Sequence, residues 1–261
     1  MTSVAISATS APAAPAVGAE TLLEIQGLTK HFGGVRALTD VSFTAEKNTV
    51  TALIGPNGAG KTTLYNAITG FLRPDSGRVH FRGTRIDQRA PHQIARLGMV
   101  RTFQSIRMFN GLTVYESLLV ARPREHRWST RKSAAKVASL LERMQLADVA
   151  DRVCSDLPLL YQRRLEVARA LMTDPRMILL DEPSAGATVP ERQLLVELIA
   201  GLKEDGTTVM VIEHNVPFVM QVSDRIVVLH FGEKVAEGTP AEVAENPVVQ
   251  EIYLGGEASS E

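Results

Sequence analysis

The chain of 261 residues carries 44% hydrophobic side chains, enough for one or two packed domains, and this excludes a disordered chain. Its 28 lysines and arginines stand against 29 acidic residues, a net charge of −1, so no basic excess points to nucleic acid. The one cysteine, Cys154, excludes an intrachain disulfide and a cysteine-rich metal site, and the longer apolar runs fall far short of the ~20 residues of a spanning helix.

Met1–Ala19 is almost wholly Ala, Ser, Thr, Pro, Val and Gly, with no charge, and Pro12 and Pro15 interrupt it. The first basic residue is Lys30, so a signal peptide is not expected, and residues 1–20 are predicted to be a disordered tail. Thr21–Leu28 and Val41–Glu46 alternate as short strands, and Thr49–Ile54 is an apolar strand that ends at Gly55. A helix is expected over Lys61–Thr69 and a strand over Gly77–Phe81. From Ser105 to Met172 the helical period dominates, with Val137, Leu140, Leu141 and Met144 on one face. Arg164–Met172 suits a helix, and Met177–Leu180 is an apolar run suited to a strand buried on both faces. Helices over Glu191–Lys203 and Val216–Val222 then alternate with strands over Thr207–Ile212 and Arg225–Leu229. Such alternation predicts an α/β fold, with the helical middle inserted into it.

The residues from Gly55 to Thr62 satisfy G-x-x-x-x-G-K-[ST] between an apolar strand and a helix. Glycines let the backbone curl so that its N–H groups face phosphates, and the helix N-terminus adds partial positive charge. Lys61 is expected to reach the β- and γ-phosphates, and the Thr62 hydroxyl to ligate Mg²⁺. A second apolar strand delivers Asp181, suited to organise Mg²⁺, and Glu182 follows, placed to polarise a water in line with the γ-phosphate.

Taken in order, these motifs, Gln104, the helical middle, Leu179-Leu-Asp-Glu-Pro183 and the strand ending at Glu213-His214 resemble the ATP-binding cassette of ABC transporters, from Leu22 to Gly255. Finer stretches resemble the ATPase subunits of branched-chain amino-acid importers: Arg101-Thr-Phe-Gln104, Gln162-Arg-Arg-Leu-Glu166, Ile212-Glu-His-Asn215, Ala236-Glu-Gly-Thr-Pro240 and Tyr253-Leu-Gly255. The resemblance implies a P-loop NTPase (RecA-like) sheet core with an antiparallel β subdomain and an inserted helical subdomain. The cassette would span 21–254, with core segments 21–104 and 165–254, helical insertion 105–164 and a frayed tail over 255–261. ATP and Mg²⁺ are the implied cofactors. Nucleotide would meet Phe32 and the loop residues Gly55, Pro56, Asn57, Gly58, Ala59, Gly60, Lys61, Thr62 and Thr63. Glu182, His214 and Gln104 would be catalytic, and Thr62, Gln104 and Asp181 would hold the metal. Without the resemblance, Phe32 reads as a core aromatic at a strand end and His214 as a structural histidine.

The implied partners are a second cassette, as a homodimer or a paralogue heterodimer, and two integral membrane permease subunits, with a solute-binding protein acting indirectly and no nucleic acid. The implied location is peripheral, on the cytoplasmic face of the cell membrane. Two segments depart from the family pattern. Leu157-Pro-Leu-Leu-Tyr161 stands where typical members have the signature loop Leu-Ser-Gly-Gly-Gln, and residues 184–190 lack an acidic or amide residue near Thr188. The altered signature leaves a second function open, a regulatory or structural nucleotide-binding cassette with weak or no ATPase.

Overall fold

The computed structural model describes residues 20–102, 109, 111–122 and 130–254. Gln104 and the expected tails, except Glu20, lie outside these residues. Two sheets organise the rest. The first is antiparallel, in the order β2-β1-β4-β5, from β1 (Thr21–Phe32), β2 (Val35–Glu46), β4 (Ser76–Phe81) and β5 (Thr84–Arg85). The second runs β10-β9-β3-β8-β7-β6. It contains β3 (Val50–Ile54), β6 (Met99–Arg101), β7 (Met177–Asp181), β8 (Thr208–Ile212), β9 (Arg225–His230) and β10 (Glu233–Gly238). All its pairings are parallel except the β9–β10 hairpin.

Every residue of β3 and β8 is buried, as is all of β7 up to Leu180. Parallel strands covered on both faces require such unbroken apolar runs. The period of two decides which side each residue serves. Leu53, Leu179 and Met210 pack with Leu23, Ile25 and Phe81 of the antiparallel sheet. Ile178, Leu180, Val209 and Val211 point the other way, into the helices. Those helices include α3 (Val114–Val120), α4 (Thr130–Arg143), α5 (Leu159–Leu171) and α6 (Val189–Glu204). Val137, Leu140, Leu141 and Met144 are all buried there, as their spacing predicts. The remaining helices are α1 (Lys61–Ile68), α2 (Pro91–Arg96), α7 (Val216–Val222), α8 (Pro240–Ala244) and α9 (Pro247–Leu254). No helix among the described residues is long and apolar enough to cross a membrane.

Three departures from the sequence reading have local causes. β2 starts at Val35 and not at Val41, because Gly33-Gly34 closes a tight hairpin and shifts in register break the alternation beyond it. β6 and β10 were not expected: β6 has only three residues, and β10 is an edge strand with little apolar content. α5 starts at Leu159 and not at Arg164, so Leu159–Tyr161 form its first turn and not a loop. Pro158 precedes that turn in an extended conformation, where its missing N–H costs nothing, and its carbonyl accepts from the Gln162 amide at 3.1 Å.

Candidate functional site

The strand order sets the site. β8 lies between β3 and β7, so the segments leaving the C-terminal ends of these three strands are neighbours. Ligands of open α/β sheets bind at such an edge. The loop after β3 enters α1 through Gly60, whose φ of 100° and an ideal Cβ only 2.5 Å from the Ala37 carbonyl exclude a side chain. Lys61 is buried, and its ammonium donates to the Gly55 carbonyl at 2.6 Å and the Pro56 carbonyl at 2.9 Å. Burial pushes its pKa down, while the charge of Glu182 opposes that shift. A cleft of about 330 Å³ opens over this junction. Residues 57–63, Glu182, residues 35–37 of β2 and Phe231 line it. Asn57, Gly58, Ala59, Gly60, Lys61, Thr62 and Thr63 therefore share one cavity with Glu182, as the motifs predict. Gly55 and Pro56 take part through their carbonyls.

Glu182 follows β7 with a φ of 49°, a left-handed conformation uncommon for a residue with a side chain. Its amide donates to the Ile212 carbonyl at 3.0 Å, which ties it to the end of β8. His214, just beyond β8, is 58% exposed at its side chain, and its Nδ1 lies 3.8 Å from Glu182 Oε1. Strands that are 30 residues apart in sequence thus bring the expected base and the expected γ-phosphate contact together.

Arg101, Glu213 and Arg163 were not assigned a role from sequence. Asp181 forms a buried ion pair with Arg101, Nη2 to Oδ2 at 2.6 Å, and Arg101 also donates to Asn66 Oδ1 of α1 at 2.6 Å. Arg101 had stood out only as part of a family stretch; a pairing across 80 residues leaves no periodic trace. Glu213 is fully buried and accepts from the amides of Ser184 at 2.7 Å, His214 at 3.1 Å and Asn215 at 3.3 Å. Arg163 of α5 donates to the carbonyls of Pro183 and Ala185. These two charged groups hold the loops that carry Glu182 and His214. Thr188 lacks the acidic or amide character of the family but opens α6, its amide and hydroxyl donating to Glu191 Oε2 at 2.7 and 2.8 Å. Phe32, expected at the adenine, ends β1 half exposed, with the Lys30 ammonium 5.6 Å from its ring centre, and does not line the cleft.

A family model described as ABC transporter matches residues 38–185, more than half of the chain. The chain belongs to the ABC transporter family. A second model, branched-chain amino acid ATP-binding cassette transporter, matches residues 233–259 of this ABC protein. It is 43% identical over 249 residues to the high-affinity branched-chain amino acid transport ATP-binding protein BraF of Pseudomonas aeruginosa, covering 90% of this chain and 98% of the relative. It is 40% identical over 251 residues to LivG of Escherichia coli, a protein of the same description, with the same coverage. Among solved structures, an ATP-binding cassette of an ABC transporter in its ADP conformation superimposes with a TM-score of 0.81 at 34% identity, over 90% of this chain and 99% of that one. The ABC ATPase fold and its nucleotide-binding character follow from these likenesses.

Proposed function

We propose that this ABC protein binds ATP with Mg²⁺ and hydrolyses it to drive an importer for branched-chain or related amino acids. The observation that carries the reading is the placement of Glu182 in the same cleft as Lys61 and Thr62. The names of the relatives and the match of residues 233–259 support the solute class.

The donors fit a hard cation. Thr62 and Asp181 offer oxygens, and among the described residues no cluster of three or more His, Cys, Asp or Glu is placed to hold a metal unaided. Mg²⁺ bound through phosphate oxygens needs only such a partial set. Bound there, the ion would offset charge on the β- and γ-phosphates. Gln104 is the third metal contact of this proposal.

The chain's own groups do the rest. Backbone N–H groups of the loop and the first turn of α1 face the phosphates, and Lys61 exchanges its carbonyl partners for phosphate oxygens. Arg101 orients Asp181 by holding its Oδ2, which leaves Oδ1 as the oxygen available to the ion. Glu182 accepts a proton from the attacking water, and His214 contacts the γ-phosphate. The resemblance implies Phe32 as an adenine contact, but Phe32 does not line the cleft. Two cassettes pack head to tail, homodimer or paralogue pair, against two membrane permease subunits on the cytoplasmic face, with a solute-binding protein acting on the far side.

Glu182→Gln in the full chain tests this. ATP binding should persist while phosphate release stops. Full turnover in that variant would remove Glu182 as the base and sink the mechanism.

A further inference from the structure

One residue of the cleft breaks a local rule. The β9–β10 hairpin pairs His230 with Glu233, so Phe231 and Gly232 are the two central residues of its turn, with φ of 47° and 81°. A two-residue turn with both φ positive favours Asn-Gly or Asp-Gly, and a bulky aromatic at the first position is strained. Phe231 is also 79% exposed, the most exposed large apolar side chain among the described residues. Neither turn geometry nor core packing explains a phenylalanine here. Residues that violate local preference without a packing gain are where function is expected.

The turn is a fixed platform. The Gly232 amide donates to the Ala59 carbonyl of the phosphate loop at 3.1 Å, and its carbonyl accepts from the Thr39 amide of β2 at 2.8 Å. A Cβ on Gly232 would lie 2.8 Å from the Ala37 carbonyl, so the two backbones touch. The His230 ring backs Phe231, centroid to centroid 4.2 Å. The aromatic face is thus held at the rim of the cleft by the same loop that cradles phosphate. It lines that cleft together with Val35 and Arg36, where Phe32 does not.

We infer that Phe231 is a base-contact residue: the purine of a nucleotide whose phosphates occupy the loop lies against its ring. Stacking on a rigid aromatic covers exposed apolar surface with little ordering cost, and this offsets the strain held in the turn. The inference rests on the nucleotide reading of the cleft and adds a specificity residue to it.

The experiment is calorimetric titration of the full chain with Mg-ATP and, separately, with Mg-tripolyphosphate, which has no base. Phe231→Asn should raise the melting temperature, because asparagine suits the turn, and should weaken ATP by about tenfold while leaving tripolyphosphate unchanged. Phe231→Trp should bind ATP within about twofold of the wild type, since it restores a stacking face. Equal loss of both titrants in Phe231→Asn would mean a role in shaping the phosphate loop and would overturn the inference. So would wild-type ATP affinity in Phe231→Asn with a loss confined to Phe32→Ala. A wild-type chain that binds neither titrant would overturn the nucleotide reading itself, and the inference with it.

Discussion

In the proposed head-to-tail pair, α1 begins at the chain's own nucleotide, while α5 carries the segment aligned with the family's signature loop and would face the nucleotide of the partner cassette. Their first turns are built in opposite ways. α1 is entered through Gly60 at a φ of 100°, with Lys61 as its first residue and the cleft open above it. α5 is entered through Pro158, without a side-chain cap, and opens on Leu159, which is 47% exposed. Glycine leaves backbone N–H groups accessible to an anion, whereas leucine puts carbon in their way. The difference teaches that two helix starts on one chain can be built differently: one leaves backbone N–H groups open to a cleft, and the other presents an apolar, bulky turn. Arg163 of α5 grips the loop that follows Glu182 through the carbonyls of Pro183 and Ala185.

The largest expected effect is on the well-furnished side. Arg101→Met strands the buried Asp181 carboxylate and frees α1 from β6, costing about 3 kcal/mol in denaturant unfolding. An unchanged midpoint would show that the pair does not anchor α1. Next, Lys61→Ala should weaken ATP by about a hundredfold, roughly 2.7 kcal/mol, without lowering the melting temperature. Affinity near that of the wild type would erase the contrast between the two helix starts.

On the α5 side, the triple change Pro158→Ser, Leu159→Gly and Leu160→Gly should raise steady-state ATPase activity by about tenfold, worth about 1.4 kcal/mol of transition-state contact. The same change should lower stability by about 1 kcal/mol, because glycine disfavours a helical first turn. If the unaltered chain already turns over as fast as the triple variant, the leucine turn serves the partner's ATP as it stands, and the comparison loses its functional meaning. The smallest effect belongs to α6. Thr188→Ala removes the hydroxyl and should lower the melting temperature by about 2–4 °C with ATPase activity unchanged. A large fall in activity would instead place Thr188 in the nucleotide machinery.

Much of this was legible because it is local. The glycine-rich loop is contiguous in sequence, so the turn from β3 into α1 at Gly60, Lys61 and Thr62 read directly. The apolar runs of β3, β7 and β8 also read directly, since strands buried on both faces have no polar positions to confuse the pattern. The face of α4 followed from its period. Short or polar elements did not read: β6 is three residues long, and the start of α5 was read as a loop because Leu157–Tyr161 aligns with the family's signature loop, whereas Pro158 sits where a helix begins.

The sequence by itself therefore determined the fold class, the glycine-rich loop between β3 and α1, and the adjacent carboxylates Asp181 and Glu182 at the end of β7. Tertiary structure alone decided which charges neutralise one another and which side chain faces the cleft. Arg101 meets Asp181 across 80 residues, and Glu213 gathers three amides from two loops. Phe231 reaches the phosphate loop because Gly232 touches Ala59 and Ala37. Pattern and propensity describe a residue's neighbours along the chain, but pairing of buried charge and the closing of a cleft depend on distances that only the packed sheets fix.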